Sequence, residues 1–160
     1  CRQQGIHTAL DTSGYADPGE LEAILPFCNL VLFDLKLLDP KEHKQYTGTD
    51  NLVILENLNR IYRSGTKIWI RIPLVEGITD TARNLSAMAT LLRQYEEIER
   101  IELLPYHAMA LHKYKRLSRS HPLAHMPNYP NEKIPLALSL LKDMPARVYV
   151  HGRNNLESNI

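Results

Sequence analysis

Asp34 and Lys36 stand two positions apart at the end of the otherwise apolar run Leu30 to Leu35, the composition of a strand buried on both faces. Residues i and i+2 of a strand point to the same side, so the carboxylate and the ammonium share one space. Burying either without a partner costs several kcal/mol. Either they pair and close the strand end, or the space between them is a site for a ligand of mixed charge. Asp11-Thr12, Arg71 and His107 raise the same question. Each has a plainer reading beside the functional one. Asp11 to Gly14 reads equally as an Asx-type turn, and Arg71 as a structural ion-pair partner of Glu102. A Schiff-base role for Lys36 conflicts with Asp34, because such a lysine needs a lowered pKa and an adjacent carboxylate raises it. His107 with His112, or His121 with His125, makes a poor metal pair. The first spacing does not align two ligands on a helix face, and Pro122 disfavours a helix across the second.

These residues must be placed by the elements around them. The chain alternates between strand and helix patterns. Strands are expected from Ile6 to Asp11, over NLVLFDLK, over TKIWIRIPLVEG with Pro73 near its exit, over ERIELLPYH and over ARVYV. Between them lie a short helix in DPGELEAILPF and another opened by Asp39 as cap, with Pro40 first and Glu42 closing a capping-box arrangement. A third helix, Asp50 to Ser64, repeats Leu52, Leu55, Leu58 and Ile61 before Gly65. A fourth carries Leu85, Met88, Leu92 and Tyr95 on one face, and NEKIPLALSLLKDM forms a last one. Such alternation predicts a parallel sheet with outer helices, either an open doubly wound sheet or part of a (β/α) barrel. In both, ligands bind at the C-terminal ends of the strands. There the first four strands carry Asp11-Thr12, Asp34 with Lys36, Arg71 and His107.

Composition limits the alternatives. The 160 residues are 44% hydrophobic and 23% charged, ordinary for one globular domain. Nineteen basic and eighteen acidic residues leave a net charge of +1, which gives no electrostatic case for nucleic acid or an anionic membrane. No apolar run approaches the roughly 18 residues of a membrane span. Two cysteines, Cys1 and Cys28, make neither a disulfide framework nor a metal-ligand set. A cytoplasmic setting is the default expectation. Trp69 and Cys28 read as packing residues, Cys28 as a buried small hydrophobe.

The blocks GIHTALDTSGY, LVLFDLK, IWIRIPLVEGITD and IELLPYH followed by HKY resemble four successive blocks of the glycyl-radical-enzyme activating enzymes. These belong to the radical S-adenosylmethionine superfamily, and the resemblance runs from about Gly5 to Leu117. It implies a partial (β/α) barrel of the radical SAM type, an α/β fold with parallel strands and outer helices. The implied chemistry is reductive cleavage of S-adenosylmethionine at a 4Fe-4S cluster, installing a glycyl radical on a partner such as pyruvate formate-lyase. A flavodoxin-type protein would donate the electron. Carried over position by position, the resemblance implies that Asp34, Lys36 and His107 line the S-adenosylmethionine pocket, with Arg71 close by. It also implies that Asp11, Thr12 and Asp34, with the Leu32 carbonyl, form a monovalent-cation site beside the cofactor's carboxylate.

The departures are specific. The family holds its cluster with Cys-xxx-Cys-xx-Cys, since thiolates are the ligands such a cluster needs, and receives the methionine amino group on Gly-Gly-Glu. Neither motif occurs in this chain. CRQQG reads as the last turn of a helix closed by Gly5, which suggests a fragment lacking its first strands, with the missing motifs expected upstream. Residues 1–150 would then be the later portion of the barrel and 151–160 a disordered tail, and the isolated chain would be inactive. A non-catalytic α/β binding module is the competing reading. Glu76 and Ala110 stand where the family commonly has proline and glycine. The basic run His112 to Arg119 is either a solvated loop or a docking surface for the partner enzyme. An open barrel edge would favour self-association.

Overall fold

A computed structural model describes residues 1–108, 118 and 123–152 of the chain. Five strands alternate with helices: β1 (Ala9–Thr12), α1 (Pro18–Ile24), β2 (Leu30–Asp34), α2 (Pro40–Thr47), α3 (Leu52–Arg63), β3 (Lys67–Leu74), α4 (Ala82–Leu92), β4 (Arg100–Pro105), α5 (Ile134–Leu140) and β5 (Arg147–Val150). Aspartates followed by proline start α1 and α2. Asp17 accepts hydrogen bonds from the Gly19 and Glu20 amides, and Asp39 from those of Lys41 and Glu42. The Glu42 carboxylate, expected to close a capping box, faces Arg83 instead, at 3.4 Å.

Strand order in the sheet follows the chain, β1-β2-β3-β4-β5, and each neighbouring pair is parallel. A doubly wound sheet reverses its strand order partway. Here it never reverses, so crossovers of one hand put every helix on one side. The burial pattern agrees. Along β3, Ile68, Ile70, Ile72 and Leu74 are buried while Trp69, Arg71 and Pro73 alternate with them and are only half-buried. The covered face meets Leu21 of α1, Ile54, Leu58 and Ile61 of α3, Leu85, Met88 and Leu92 of α4, and Ile134 and Ala137 of α5 in one core. Each large apolar side chain fully buried there contributes roughly 1.5–3 kcal/mol. The architecture is a partial (β/α) barrel.

Three expectations change. The run in β2 is not buried on both faces. Val31, Phe33 and Leu35 are, but Leu32 and Asp34 look onto the other side of the sheet and stay half-open. β1 begins at Ala9 rather than Ile6, because its register with β2 starts at Ala9 opposite Leu30. The preceding Thr8 gives its amide to the Asn29 side chain while its carbonyl accepts the Asn29 and Leu30 amides, and Ile6 is 51% exposed. In α3 the core stripe is Ile54, Leu58 and Ile61. Leu58 and Ile61 are therefore where the spacing put them and Leu55 packs half-buried beside them, while Leu52 is 66% exposed and Ile54 takes its place. The tail expectation falls mainly on residues 153–160, outside the described residues. His151 still extends the β5 ladder, its amide donating to the Leu103 carbonyl at 2.9 Å.

Candidate functional site

Four charged side chains converge near the C-terminal ends of β1 and β2, where Arg71 of mid-β3 stands level with Asp34. Asp34 is the register partner of Arg71, and Asp11 lies one strand further along. The Arg71 guanidinium bridges the two carboxylates. Its Nε is 2.8 Å and its Nη2 2.7 Å from Asp34 Oδ1. Its Nη1 is 2.9 Å from Asp11 Oδ2, and its Nη2 also bonds Asp11 Oδ1. Asp34 Oδ2 receives the Lys36 ammonium at 3.3 Å. Arg71 is the most enclosed of the four, with 16% side-chain exposure against 62% for Asp11. Burial pulls against its charge, but the hydrogen bonds and charges of Asp11 and Asp34 outweigh that and hold the guanidinium above its ordinary value. Two strand-end carboxylates repel unless a cation stands between them, and that cation here is Arg71.

The geometry separates the sequence candidates. Asp11, Asp34, Lys36 and Arg71 are brought together. Thr12 lies next to Asp11 on a strand, so it points to the other face, and its hydroxyl accepts the Gly14 amide at 3.0 Å. His107 is exposed, two residues beyond β4, and makes no hydrogen bond or ion pair with the cluster among the described residues. Arg71 does not pair with Glu102, although the two are register neighbours. Glu102 is taken by Arg100, which bonds it through Nε at 2.8 Å and through Nη2. The Arg100 guanidinium is stacked 4.2 Å from the Trp69 ring centre and 4.3 Å from that of Tyr149. Trp69 is therefore a stacking surface rather than core packing. Two clefts, one along Lys67, Glu96 and Glu99 and the other along Trp69, Arg100 and Arg147, open at the N-terminal ends of the strands, away from the four-charge cluster.

The loops beyond the strands are fixed by residues the sequence reading passed over. Asn57 of α3, fully buried, donates to the Gly14 and Ala16 carbonyls and so holds the turn after β1. Its Oδ1 has no hydrogen-bond partner among the described residues. Asn51 donates to the carbonyls of Leu37 and Leu38 after β2. The signal was an asparagine on an otherwise apolar helix stripe, beside Leu58 for Asn57. After β3, the Tyr129 hydroxyl donates to Asp80 at 3.1 Å, and Lys133 pairs with Glu76 at 2.7 Å. Glu76, out of keeping with the family pattern, thus has a partner of its own. Ala110, His112, His121 and all of the basic run except Ser118 lie outside the described residues.

No protein-family model matches the chain. Curated relatives do. The pyruvate formate-lyase-activating enzyme of Clostridium pasteurianum is 35% identical over 144 residues, covering 90% of this chain and 60% of the relative. The isethionate sulfite-lyase activating enzyme of Nitratidesulfovibrio vulgaris is 38% identical over 124 residues, 76% of this chain and 40% of the relative. Among solved structures, a domain of pyruvate-formate lyase-activating enzyme from Bacteroides vulgatus superposes with TM-score 0.76 at 29% identity, covering 95% of this chain and 85% of that one. Over most of its length the chain is a relative of activating enzymes of glycyl-radical enzymes. A radical SAM methyltransferase from Sphaerobacter thermophilus, 18% identical with TM-score 0.65, shares the fold. The chain spans 60% and 40% of the length of these two curated activating enzymes.

Two groups that the activating-enzyme family implies can be tested against the residues present. S-adenosylmethionine carries a carboxylate, an ammonium and ribose hydroxyls, and the four-charge cluster offers both signs at fixed spacing on rigid strand ends. That donor set fits. A 4Fe-4S cluster needs thiolates. Cys1 is exposed and Cys28 half-buried rather than buried, with its thiol 3.5 Å from the Ile24 carbonyl and its pKa pushed up by burial. Among the described residues no group of three or more His, Cys, Asp or Glu could hold a metal. The cluster does not fit residues on this chain. No described helix is long and apolar enough to cross a membrane.

Proposed function

We propose that this chain supplies the S-adenosylmethionine-holding strand ends of an activating enzyme that acts on pyruvate formate-lyase or a related glycyl-radical enzyme. The observation that carries the reading is the Asp11–Arg71–Asp34–Lys36 cluster, placed at the ligand-binding ends of three adjacent parallel strands. In this reading Lys36 binds the cofactor's carboxylate. Asp34 accepts its ammonium or a ribose hydroxyl, and Arg71 fixes both aspartates. His107 closes the pocket from β4. Asp11, Thr12 and Asp34 would take a monovalent cation only if Arg71 gave up part of its hold and Thr12 turned from Gly14. The reducing cluster would need thiolates that this chain does not carry, so the 160 residues alone are inactive. A flavodoxin-type donor, a cytoplasmic setting and self-association through the β1 edge complete the reading.

The internal pairing of all four charges favours one rival, a structural brace with no ligand. Equilibrium binding of S-adenosylmethionine to the full-length protein separates the two. Lys36→Ala and Asp34→Asn should each weaken binding about tenfold or more, as loss of a charge-assisted contact does, with the fold retained by circular dichroism. Unchanged binding in both variants leaves the brace as the better account.

A further inference from the structure

We propose that Asn84 of α4 is the positioning residue for Lys36, setting where its ammonium stands in the cofactor pocket; the inference rests on the pocket reading above. Lys36 is the first residue past the sheet ladder, whose last bond runs from the Leu35 amide to the Arg71 carbonyl at 2.9 Å. Its side chain is long and flexible, so the reach of the ammonium depends on where its backbone is held. Asn84 does that holding. Its Nδ2 donates to the carbonyl of Lys36 itself at 3.0 Å, and its Oδ1 accepts the Leu38 amide at 3.0 Å. The same Nδ2 donates to the Thr79 carbonyl at 2.9 Å, so one amide group locks the loop after β2 to the loop after β3.

The surroundings leave this segment little freedom. Asn84 is 4% exposed, and Leu35 and Leu37 on either side of Lys36 are buried in the core. Asn51 takes the Leu37 and Leu38 carbonyls at 3.0 and 2.8 Å. Thr79 is anchored in turn, its hydroxyl donating to the Pro73 carbonyl and accepting the Val75 amide. Asp34, at the end of β2, and Arg71, three residues before the end of β3, thus have both following loops tied through Asn84. Removing its side chain takes a donor from the Lys36 and Thr79 carbonyls and the acceptor from the Leu38 amide, and frees the Lys36 backbone.

Equilibrium binding of S-adenosylmethionine in a double-mutant cycle tests this in the full-length protein. Asn84→Ala should weaken binding about tenfold in the native background and less than about twofold when Lys36→Ala is already present, the non-additivity of residues that act as one. Equal losses in both backgrounds would mean general loosening and overturn the proposal, as would an unchanged affinity in Asn84→Ala where Lys36→Ala loses it. If Lys36→Ala is itself silent, the pocket reading fails and takes this inference with it. Asn84→Ser, which keeps a small polar side chain, replaces Asn84→Ala if the latter does not fold. Amide hydrogen exchange at Leu38 gives a readout free of ligand and variant. Slow exchange in the unsubstituted protein is expected, and exchange at the rate of an open amide overturns the role of Asn84.

Discussion

Replacing Gly14 by alanine tests how firmly the turn after β1 is built. Gly14 has φ of +77°, and a Cβ placed there would lie 2.5 Å from Phe33 Cζ, 2.6 Å from Phe33 Cε2 and 3.3 Å from Ile54 Cγ2. Phe33 is fully buried on the helix-covered face of β2 and has no room to retreat. The left-handed backbone costs an L-residue roughly 1–2 kcal/mol, and forcing a methyl into a packed core adds about 1–3 kcal/mol. The sum, about 2–5 kcal/mol, is a large part of a domain stability of about 5–15 kcal/mol. With a urea slope near 2 kcal/mol per molar, the denaturation midpoint should fall by about 1–2.5 M. Gly65 provides the control, because its φ is +72° but nothing lies within 4 Å of its added Cβ. Gly65→Ala should show the backbone cost alone, about 1–2 kcal/mol. If Gly14→Ala loses no more than Gly65→Ala, the packing part of the argument is wrong. The turn also lies just past Asp11 of the four-charge cluster, and Asn57 holds its far side.

Other consequences can be checked with similarly simple assays. The Asp39 carboxyl is held below the ordinary carboxylate range by the Glu42 amide first, with the Lys41 amide and Arg83 adding to it. Its cap on α2 is therefore fully present above the unfolded value and is lost as pH falls through the lower folded one. The difference in thermal midpoint between the native chain and Asp39→Asn should narrow below about pH 4, and a constant difference would contradict this cause. Burial, then the Asp80 carboxylate, pushes the Tyr129 phenol far above its usual value, so its contribution holds below about pH 10 and is lost as pH rises through the folded value. Ultraviolet titration should show this tyrosine ionising last. Tyr129→Phe should remove that step and cost about 1–2 kcal/mol; a tyrosine count unchanged at the last step would refute the assignment. Reconstituting the 160-residue chain with ferrous iron and sulfide should give no stoichiometric 4Fe-4S absorbance, and a clean cluster would overturn the reading of its ligands.

What was legible in the sequence was what repeats along it. The alternation of strand and helix, the Asp-Pro helix starts and the Leu85–Met88–Leu92 stripe are local patterns set by backbone geometry, and they appear where expected. The convergence of Asp11, Asp34, Lys36 and Arg71 was legible because parallel strands carry their polar exceptions to one end. Partner choice was not. Arg71 had Asp34 on one side and Glu102 on the other, and only the stacking of Arg100 between Trp69 and Tyr149 decides which carboxylate is already taken. The buried asparagines were equally hidden. Asn57 and Asn84 interrupt apolar stripes, but, Thr79 apart, the carbonyls they serve lie 41 to 48 residues away in sequence.

The four-charge cluster is electrically closed: two anions and two cations, each with its complement within hydrogen-bonding distance. Such a quadrupole has almost no field a few ångströms away, and what remains is screened within about a Debye length of 8–10 Å. A zwitterion approaching these strand ends is therefore neither drawn in nor turned aside from afar. On the reading proposed above it would arrive by diffusion and trade partners on contact, displacing Lys36 from Asp34 before being held itself. Capture at this end of the barrel would then be an exchange reaction, paced by the opening of an internal pair rather than by the salt around it.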